Sequence, residues 1–271
     1  MEFETVRYAV DGPVATITLQ RPQAANAQNT QMIEDLDACF DEVEADDSVR
    51  VVILAADGKH FSAGHDLKEI LAGEEYWAAL RGSPEGKLVR IRDFPKVTIA
   101  AIQGACSAAG LMLACMCDLI VAADDAKFSN PVLRMSGVGV ELLVEPWEMG
   151  ARKAKEFLFC AETFTAAEAE RYGMVNRVVP RKELLATARE LADKVALVPP
   201  LTARAVKDTI NHTLDLQGQR ESWRYHFMVH QFVSNTEEAL DRSEARKQGG
   251  MSAVRTEQGL GKMPEQAGEQ A

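Results

Sequence analysis

The chain has 271 residues, of which 46% are hydrophobic, and this composition is enough for one large α/β domain with a sizeable core. Thirty basic and 41 acidic residues give a net charge of −11, which disfavours nucleic acid as a partner. Four of the five cysteines lie in apolar helical patterns without zinc-site spacing, so we expect reduced core thiols and no metal. The opening MEFE lacks the basic and apolar regions of a signal peptide, which favours a cytoplasmic protein.

The first third of the chain alternates between apolar runs and small-residue loops. Asp11-Gly12 between two alternating runs predicts a hairpin, and a 3.6-residue apolar period predicts a helix capped by Asn29 or Thr30. The predicted elements are strands at 3–10 and 13–19, a helix from about 30, a buried strand at 51–56, a helix that Asp66 caps or starts, and a charged helix-and-loop segment over the site at 73–92.

The apolar stretch from Val97 to Asp124 organises the chain and predicts one βαβ unit. A β-branched strand at 97–102 leads into a small-residue turn at 104–110, a helical pattern to Cys117 and a second strand at 119–122. The 21 residues from 97 to 117 carry no charge. They are mostly small, and Gly and Ser interrupt them, so a membrane helix is disfavoured.

Two strand-to-helix transitions, at 61–67 and 104–112, consist of small residues. The first backbone amides of a helix have no intrahelical acceptor, and small side chains let a ligand oxygen come close to them. A pair of such loops fits an oxygen that becomes negative during a reaction. A buried βαβ unit without a site is the alternative interpretation.

The second half of the chain becomes increasingly helical. A loop at 134–141, with Gly137, Gly139 and Glu141, is predicted to lead into a helix through Trp147. The other predicted elements are strands at 126–129 and 175–179 and helices at 151–160, 165–172, 181–197, 200–215 and 219–248. We therefore expect an α/β core at 1–196, a helical region at 197–248 that packs on its own core or on a neighbouring subunit, and a disordered tail at 249–271.

Five separated motifs, in family order over about residues 5–245, resemble the crotonase superfamily, the enoyl-CoA hydratase/isomerase family. They are LQRP…NA (19–27), FSAGHDL (61–67), KVTIAAIQGACSAAG (96–110), FSNP (128–131) and the run from FLFCAETFTA to RVVP (157–180). The resemblance implies an α/β spiral of ββα repeats with a C-terminal helical region, here 197–248, that serves trimerisation. It also implies homotrimers or dimers of trimers and an acyl-CoA thioester as substrate, with no cofactor beyond the coenzyme A of that substrate.

Carried onto this chain, the resemblance implies that the backbone amides of His65 and Ala109 hold the thioester oxygen while an enolate forms. The segments 24–27 and 63–67 are then expected to line the CoA groove. The substrate-binding residues implied in this way are Ala24, Ala25, Asn26, Ala63, Asp66, Leu67, Gly110, Met112 and Val132.

The chain departs from the family at both positions where hydratases carry a catalytic glutamate. Met112 stands three residues after Ala109, and Val132 follows Pro131. Neither side chain can transfer a proton, so the chain differs from a two-glutamate hydratase.

Glu141 is the candidate replacement, because some relatives carry a working aspartate nearby. An apolar pocket is expected to raise the pKa of its carboxyl group toward a useful range. The alternative is a carboxylate that only stabilises a helix N-terminus. Glu145 is a weaker candidate. The imidazole of His65 either takes part in catalysis or makes a hydrogen bond to a neighbouring loop.

These features predict an acyl-CoA enzyme that stabilises a thioester enolate, with hydration of a 2-enoyl-CoA in fatty acid metabolism as the family label. Isomerisation of an enoyl-CoA or decarboxylation of an acyl-CoA is the alternative, since decarboxylation needs little beyond the oxyanion site. Met112 and Val132 also keep open a non-catalytic relative that only binds acyl-CoA.

Overall fold

The computed structural model describes residues 3–72, 87–135 and 137–257, so most of the segment predicted to lie over the site, 73–86, is outside the described residues. The described strands are β1 (Val6–Asp11), β2 (Val14–Leu19), β3 (Val51–Ala56), β4 (Val97–Ile102), β5 (Ala105–Ser107), β6 (Leu119–Ala123), β7 (Lys127–Ser129), β8 (Thr163–Thr165) and β9 (Arg177–Val179).

The strands form two sheets. The main sheet has the order β1-β2-β3-β4-β6-β9, in which β1 and β2 are an antiparallel hairpin and the other pairs are parallel. The small sheet has the order β5-β7-β8. The inner strands of the main sheet are apolar on both faces because both faces are covered, as parallel sheets require.

The described α-helices are α1 (Thr30–Ala45), α2 (Leu67–Ala72), α3 (Val89–Asp93), α4 (Ala109–Cys115), α5 (Glu145–Met149), α6 (Ala151–Phe159), α7 (Ala166–Tyr172), α8 (Leu184–Ala196), α9 (Pro200–Leu216), α10 (Gln219–Ser234) and α11 (Glu237–Glu257). Helices α1 and α8 pack against the main sheet. Because successive strand side chains point to opposite faces, Val51 and Ile53 pack against α8, whereas Val52 and Leu54 face the larger core on the other side.

Several boundaries differ from the sequence prediction. The small-residue turn at 104–110 contains β5, which pairs with β7. Helix α5 begins at Glu145, so Glu141 lies in the preceding loop and not at a helix start. The long helix predicted at 219–248 is two helices, because the Thr236 hydroxyl accepts the amide of Ala239 and so caps a new helix. Helix α11 continues past Gly249 to Glu257.

The topology places two loops at one edge of the main sheet. Strands β3 and β4 are parallel neighbours, and the loops that follow them, at 57–66 and 103–108, therefore leave the sheet at the same edge. This edge is where ligands bind in open α/β sheets. No helix among the described residues is both long and apolar enough to cross a membrane.

Candidate active site

The two loops lie side by side and are joined by backbone hydrogen bonds. The amide of Ser62 donates to the carbonyl of Ala105 at 3.1 Å, and the amide of Ser107 donates to the carbonyl of Ser62 at 2.9 Å. The same pairing forms a parallel bridge between Ser62 and Cys106. The loops predicted from the sequence as a pair are therefore in direct contact.

Two glycines allow this close approach. A Cβ atom at Gly64 would lie 2.9 Å from the Ser107 carbonyl oxygen and 3.1 Å from the Ala109 nitrogen, and Gly64 has a φ of +93°. A Cβ atom at Gly110 would lie 2.6 Å from the Ser62 carbonyl oxygen. Any larger side chain at either position would separate the loops.

Ala108, which precedes α4, has an unusual backbone conformation with φ 50° and ψ −116°. Such a conformation in a residue with a Cβ atom costs about 1–3 kcal/mol and persists only where its surroundings impose it. Here the Ala108 amide donates to the Ser129 carbonyl at 2.9 Å, which fixes the turn. The next amide, that of Ala109, is the first of α4, a position that has no acceptor within its own helix.

A cavity of about 390 Å³ opens beside these loops. Its walls are largely apolar, with Ile70, Met135 and Leu240 among them, and the polar residues that line it include Ser107, His65, Glu141 and His230. An apolar pocket with a few convergent polar groups is typical of a small-molecule site.

His65 and Glu141 form a buried pair in this cavity. The His65 Nε2 atom lies 3.0 Å from Glu141 Oε1 and 2.9 Å from Oε2, and the two side chains are 8% and 11% exposed. A carboxylate held against one ring nitrogen fixes the orientation of the imidazole. Of the two interpretations of His65, a hydrogen bond to a neighbouring loop is thus present, and its partner is Glu141.

The expectation of a raised pKa for Glu141 is wrong. Burial raises the pKa of this carboxyl group, but the charge and the hydrogen bond of His65, with a smaller contribution from His230, lower it to about 2. The sequence prediction included the apolar pocket but not the partner. Glu141 is therefore ionised at neutral pH.

The loop that carries Glu141 is fixed from two sides. The amide of Leu142 donates to the sulfur of Met112 at 3.3 Å. From α10, His226 Nε2 donates to the Val140 carbonyl at 2.8 Å, and Trp223 Nε1 donates to the Leu143 carbonyl at 3.2 Å. These contacts hold the Glu141 carboxylate in one position.

Five of the sequence-predicted site residues line the cavity: Ala63, His65, Leu67, Val132 and Glu141. Ala109 and Gly110 are buried, and they directly follow Ala108, which lines the cavity. Met112 is buried beneath the 137–142 loop because its sulfur accepts the Leu142 amide, so its side chain is not at the cavity surface.

The segment predicted to line the CoA groove, 24–27, is outside the described cavity wall. Ala24 ends a short 3₁₀ turn, and Ala25 has a left-handed φ of 51°. The side chain of Asn26 is buried and donates to the carbonyls of Asp57 and His60, each at 2.9 Å. Asp66 forms an ion pair with Arg21 at 2.9 Å. A role of these residues in binding CoA stays a prediction.

The weaker candidate Glu145 is also buried, and it is not part of the described cavity wall. Its Oε1 atom accepts the side-chain amide of Asn130 at 2.6 Å, and desolvation raises the pKa of its carboxyl group. Among the described residues no group of His, Cys, Asp and Glu is arranged to hold a metal ion.

Two residues of the site region escaped the sequence prediction. His230 follows His226 by one helical turn on α10, and only the fold brings that face back to Glu141. Gln28 is a buried polar residue between Ala27 and Asn29, the residue that caps α1. A polar side chain inside a small-residue motif was the only signal for Gln28.

The fold and site define a crotonase-like α/β protein with two converging loops at a ligand cavity. The sequence matches the family profile described as Enoyl-CoA hydratase/isomerase over residues 10–249. The chain belongs to that family.

Similar proteins agree with this assignment. A crystal structure of a probable enoyl-CoA hydratase from Mycobacterium smegmatis is 47% identical, with a TM-score of 0.82, and the match covers 88% of this chain and 96% of that one. An enoyl-CoA hydratase/isomerase from Xanthobacter autotrophicus Py2 is 29% identical, with a TM-score of 0.88 and coverage of 97% and 100%. The short-chain-enoyl-CoA hydratase of Clostridium acetobutylicum is 33% identical over 217 residues, 78% of this chain and 82% of the relative. The predicted fold class is confirmed.

Proposed function

We propose that this protein is a hydratase-like lyase that adds water to a 2-enoyl-CoA thioester. The amides of His65 and Ala109 bind the thioester carbonyl oxygen and stabilise the enolate. The contact between His65 and Glu141 in the cavity carries the proposal, because it supplies an acid/base group where both family glutamates are missing. The hydratase names of the similar proteins support the same substrate class.

The direction of the His65 amide supports the oxyanion site. The carbonyl of Gly64 and the amide of Asp66 both pair with Gln28. Backbone groups alternate in direction along an extended segment, so the intervening His65 amide points to the opposite side. A single well-placed donor of this kind is worth about 3–4 kcal/mol in the transition state.

The proton steps use the histidine and its carboxylate as one unit. The step starts from the neutral imidazole of His65, which donates its Nε2–H to Glu141 and takes a proton from water at Nδ1 as the hydroxide oxygen bonds to C3 of the substrate. The electron pair of the C2–C3 double bond moves to the thioester, which becomes the enolate. The imidazolium, stabilised by ionised Glu141, then returns the proton to C2. The net change is the addition of one water molecule.

Hydration of crotonyl-CoA, followed as loss of the enoyl absorbance, tests this proposal with Glu141→Gln and His65→Gln. We expect each variant to lose about 10²–10⁴-fold in kcat, the contribution of one general acid/base. Glu145→Gln is the matched control, since it removes a buried carboxylate that is outside the described cavity wall. Equal losses in all three variants, or an unaffected Glu141→Gln, would contradict the assignment.

A second candidate function follows from Val132, an apolar residue on the cavity wall. Decarboxylation of an acyl-CoA tolerates an apolar group there, because the loss of CO2 leaves its electron pair in the enolate that the oxyanion site stabilises. Double-bond isomerisation would also need the pair of His65 and Glu141 to move a proton from C2 to C4. Turnover of a malonyl-type CoA or a 3-enoyl-CoA, without hydration of crotonyl-CoA, would favour this candidate. Binding of CoA esters without any turnover would instead identify a non-catalytic acyl-CoA-binding relative.

The assembly we propose is the homotrimer or dimer of trimers implied by the family. Helix α9 supports this because Leu201, Val206 and Ile210 are 78%, 54% and 57% exposed. All three lie on this one helix and line the same shallow apolar surface. Surfaces of this kind are typical of subunit interfaces.

A further inference from the structure

We propose that Gln28 is a positioning residue that fixes the two amide-bearing loops relative to each other. This inference rests on the proposed oxyanion site and adds a residue outside the described cavity wall. Gln28 is 1% exposed and contacts both loops at once, one through its backbone and the other through its side chain.

The backbone of Gln28 fixes the first loop. Its amide donates to the Gly64 carbonyl at 2.8 Å, and its carbonyl accepts the Asp66 amide at 2.9 Å. These two bonds form a parallel bridge between Gln28 and His65. The backbone orientation of His65, and therefore the direction of its amide, is set on both sides by one residue.

The side chain of Gln28 fixes the second loop. Its Nε2 atom donates to the Ala109 carbonyl at 3.1 Å and lies 3.5 Å from the hydroxyl oxygen of Ser62. Ala109 provides the other proposed donor, and Ser62 is the residue through which the two loops are paired. The Ser62 hydroxyl in turn donates to the Asn26 carbonyl at 2.8 Å, which connects it back to the segment of Gln28.

The contacts of Gln28 therefore help to set the distance and the angle between the amides of His65 and Ala109. An oxyanion site works through donors fixed in advance, and a displacement of about 1 Å can cost about 10²-fold in rate. The Gly64 and Gly110 backbones permit the loops to approach, but a glycine does not hold them there. Backbone bonds at Ser62 already pair the loops, and the Gln28 side chain adds a contact at Ala109, the residue that carries the second donor.

Gln28→Met tests this role, because methionine keeps the length and the backbone bonds but has no donor for Ala109. Asn211→Leu is the matched control. The Asn211 side chain also donates to a backbone carbonyl, that of Arg92 at 3.0 Å, but this contact joins α9 to α3, and neither residue lies in the two loops or in the described cavity wall. The probe is acetoacetyl-CoA, whose ionised form is an enolate with strong near-ultraviolet absorbance. Binding of free CoA, which has no thioester carbonyl, serves as the reference.

We expect Gln28→Met to weaken binding of the acetoacetyl-CoA enolate about 10–10²-fold, with the affinity for free CoA unchanged. For crotonyl-CoA, kcat should fall more than KM rises, and Asn211→Leu should leave kcat, KM and enolate binding near the wild-type values. If Gln28→Met does not fold, Gln28→Glu has the same shape and should show the same selective loss, because a carboxylate cannot donate to Ala109.

Unchanged enolate binding in Gln28→Met would overturn the inference, as would an equal loss in Asn211→Leu. The proposed hydration fails separately: a wild-type protein that binds the enolate but does not hydrate crotonyl-CoA refutes the reaction and still tests Gln28. A wild-type protein that does not bind acetoacetyl-CoA as the enolate would overturn both the oxyanion site and the role of Gln28.

Discussion

A double-mutant cycle on His65 and Glu141 measures whether the pair acts as one unit. The carboxylate has two contacts of 2.9 and 3.0 Å to one ring nitrogen, in side chains that are 8% and 11% exposed. Removal of one partner from a buried ion pair costs about 3–5 kcal/mol, because a charge stays buried without its partner. His65→Gln leaves the ionised Glu141 in that state, so we expect a loss in this range.

Glu141→Gln should cost less, about 1–2 kcal/mol, because the neutral amide can still accept a hydrogen bond from His65. In the double variant neither position 65 nor position 141 carries a charge. The total loss of unfolding free energy should therefore be smaller than the sum of the two single losses by at least about 1 kcal/mol. The rate loss of the double variant should equal that of the more damaged single variant, as it does for groups that act together.

Urea unfolding at pH 7 and fixed protein concentration gives the free energies, and hydration of crotonyl-CoA gives the rates. The unfolding measurements need no substrate. The coupling between the two side chains is therefore testable even if the enzyme acts on a different substrate. Additive free energies would refute the coupling that we infer from the contact. Additive rate losses would mean that the two side chains act in separate steps.

Three further predictions follow from particular contacts. The pKa of Glu141 is lowered from 4.5 to about 2, so its ionised form stabilises the fold above pH 4.5. This contribution is lost as the pH falls toward 2. The unfolding free energy of Glu141→Gln, measured in urea across this pH range, should lack that part of the acid dependence. Met112→Leu removes the acceptor of the Leu142 amide, so hydration should fall about tenfold while the unfolding free energy changes by less than about 1.5 kcal/mol; an unchanged rate would contradict the supporting role. Ile210→Glu on α9 should produce monomers in sedimentation equilibrium, and an unchanged mass would place the subunit interface elsewhere.

Local signals in the sequence were sufficient for much of the fold. The strand at 51–56 has the predicted bounds, and Asn29 caps α1 by accepting the Met32 amide. Both features depend on a few adjacent residues, an apolar run in one case and a side chain that reaches a nearby amide in the other. β5 was missed because its three residues are small and its pairing partner, β7, follows about 20 residues later.

The candidate site was predictable in part for the same reason. Each amide-bearing loop is a local pattern, and their contact follows from the neighbouring parallel strands that precede them. The pairing of His65 with Glu141 joins residues 76 positions apart, and no local pattern encodes it. The direction of the Glu141 pKa depended on that partner, so burial alone gave the wrong sign.

Met112 and Val132 are physically connected to the pair of His65 and Glu141. Met112 stands where the family resemblance predicts a glutamate, and its sulfur supports the loop that carries Glu141. Val132, at the other position where the resemblance predicts a glutamate, packs beside Gly137 in the same loop, where a Cβ atom would lie 2.6 Å from a Val132 methyl carbon. A charged side chain at position 112 would be buried under this loop and would have to compete with the Leu142 amide contact. Both apolar residues therefore contact the loop that brings the Glu141 carboxylate to the cavity, opposite the histidine whose amide faces the substrate oxygen in the proposed reaction.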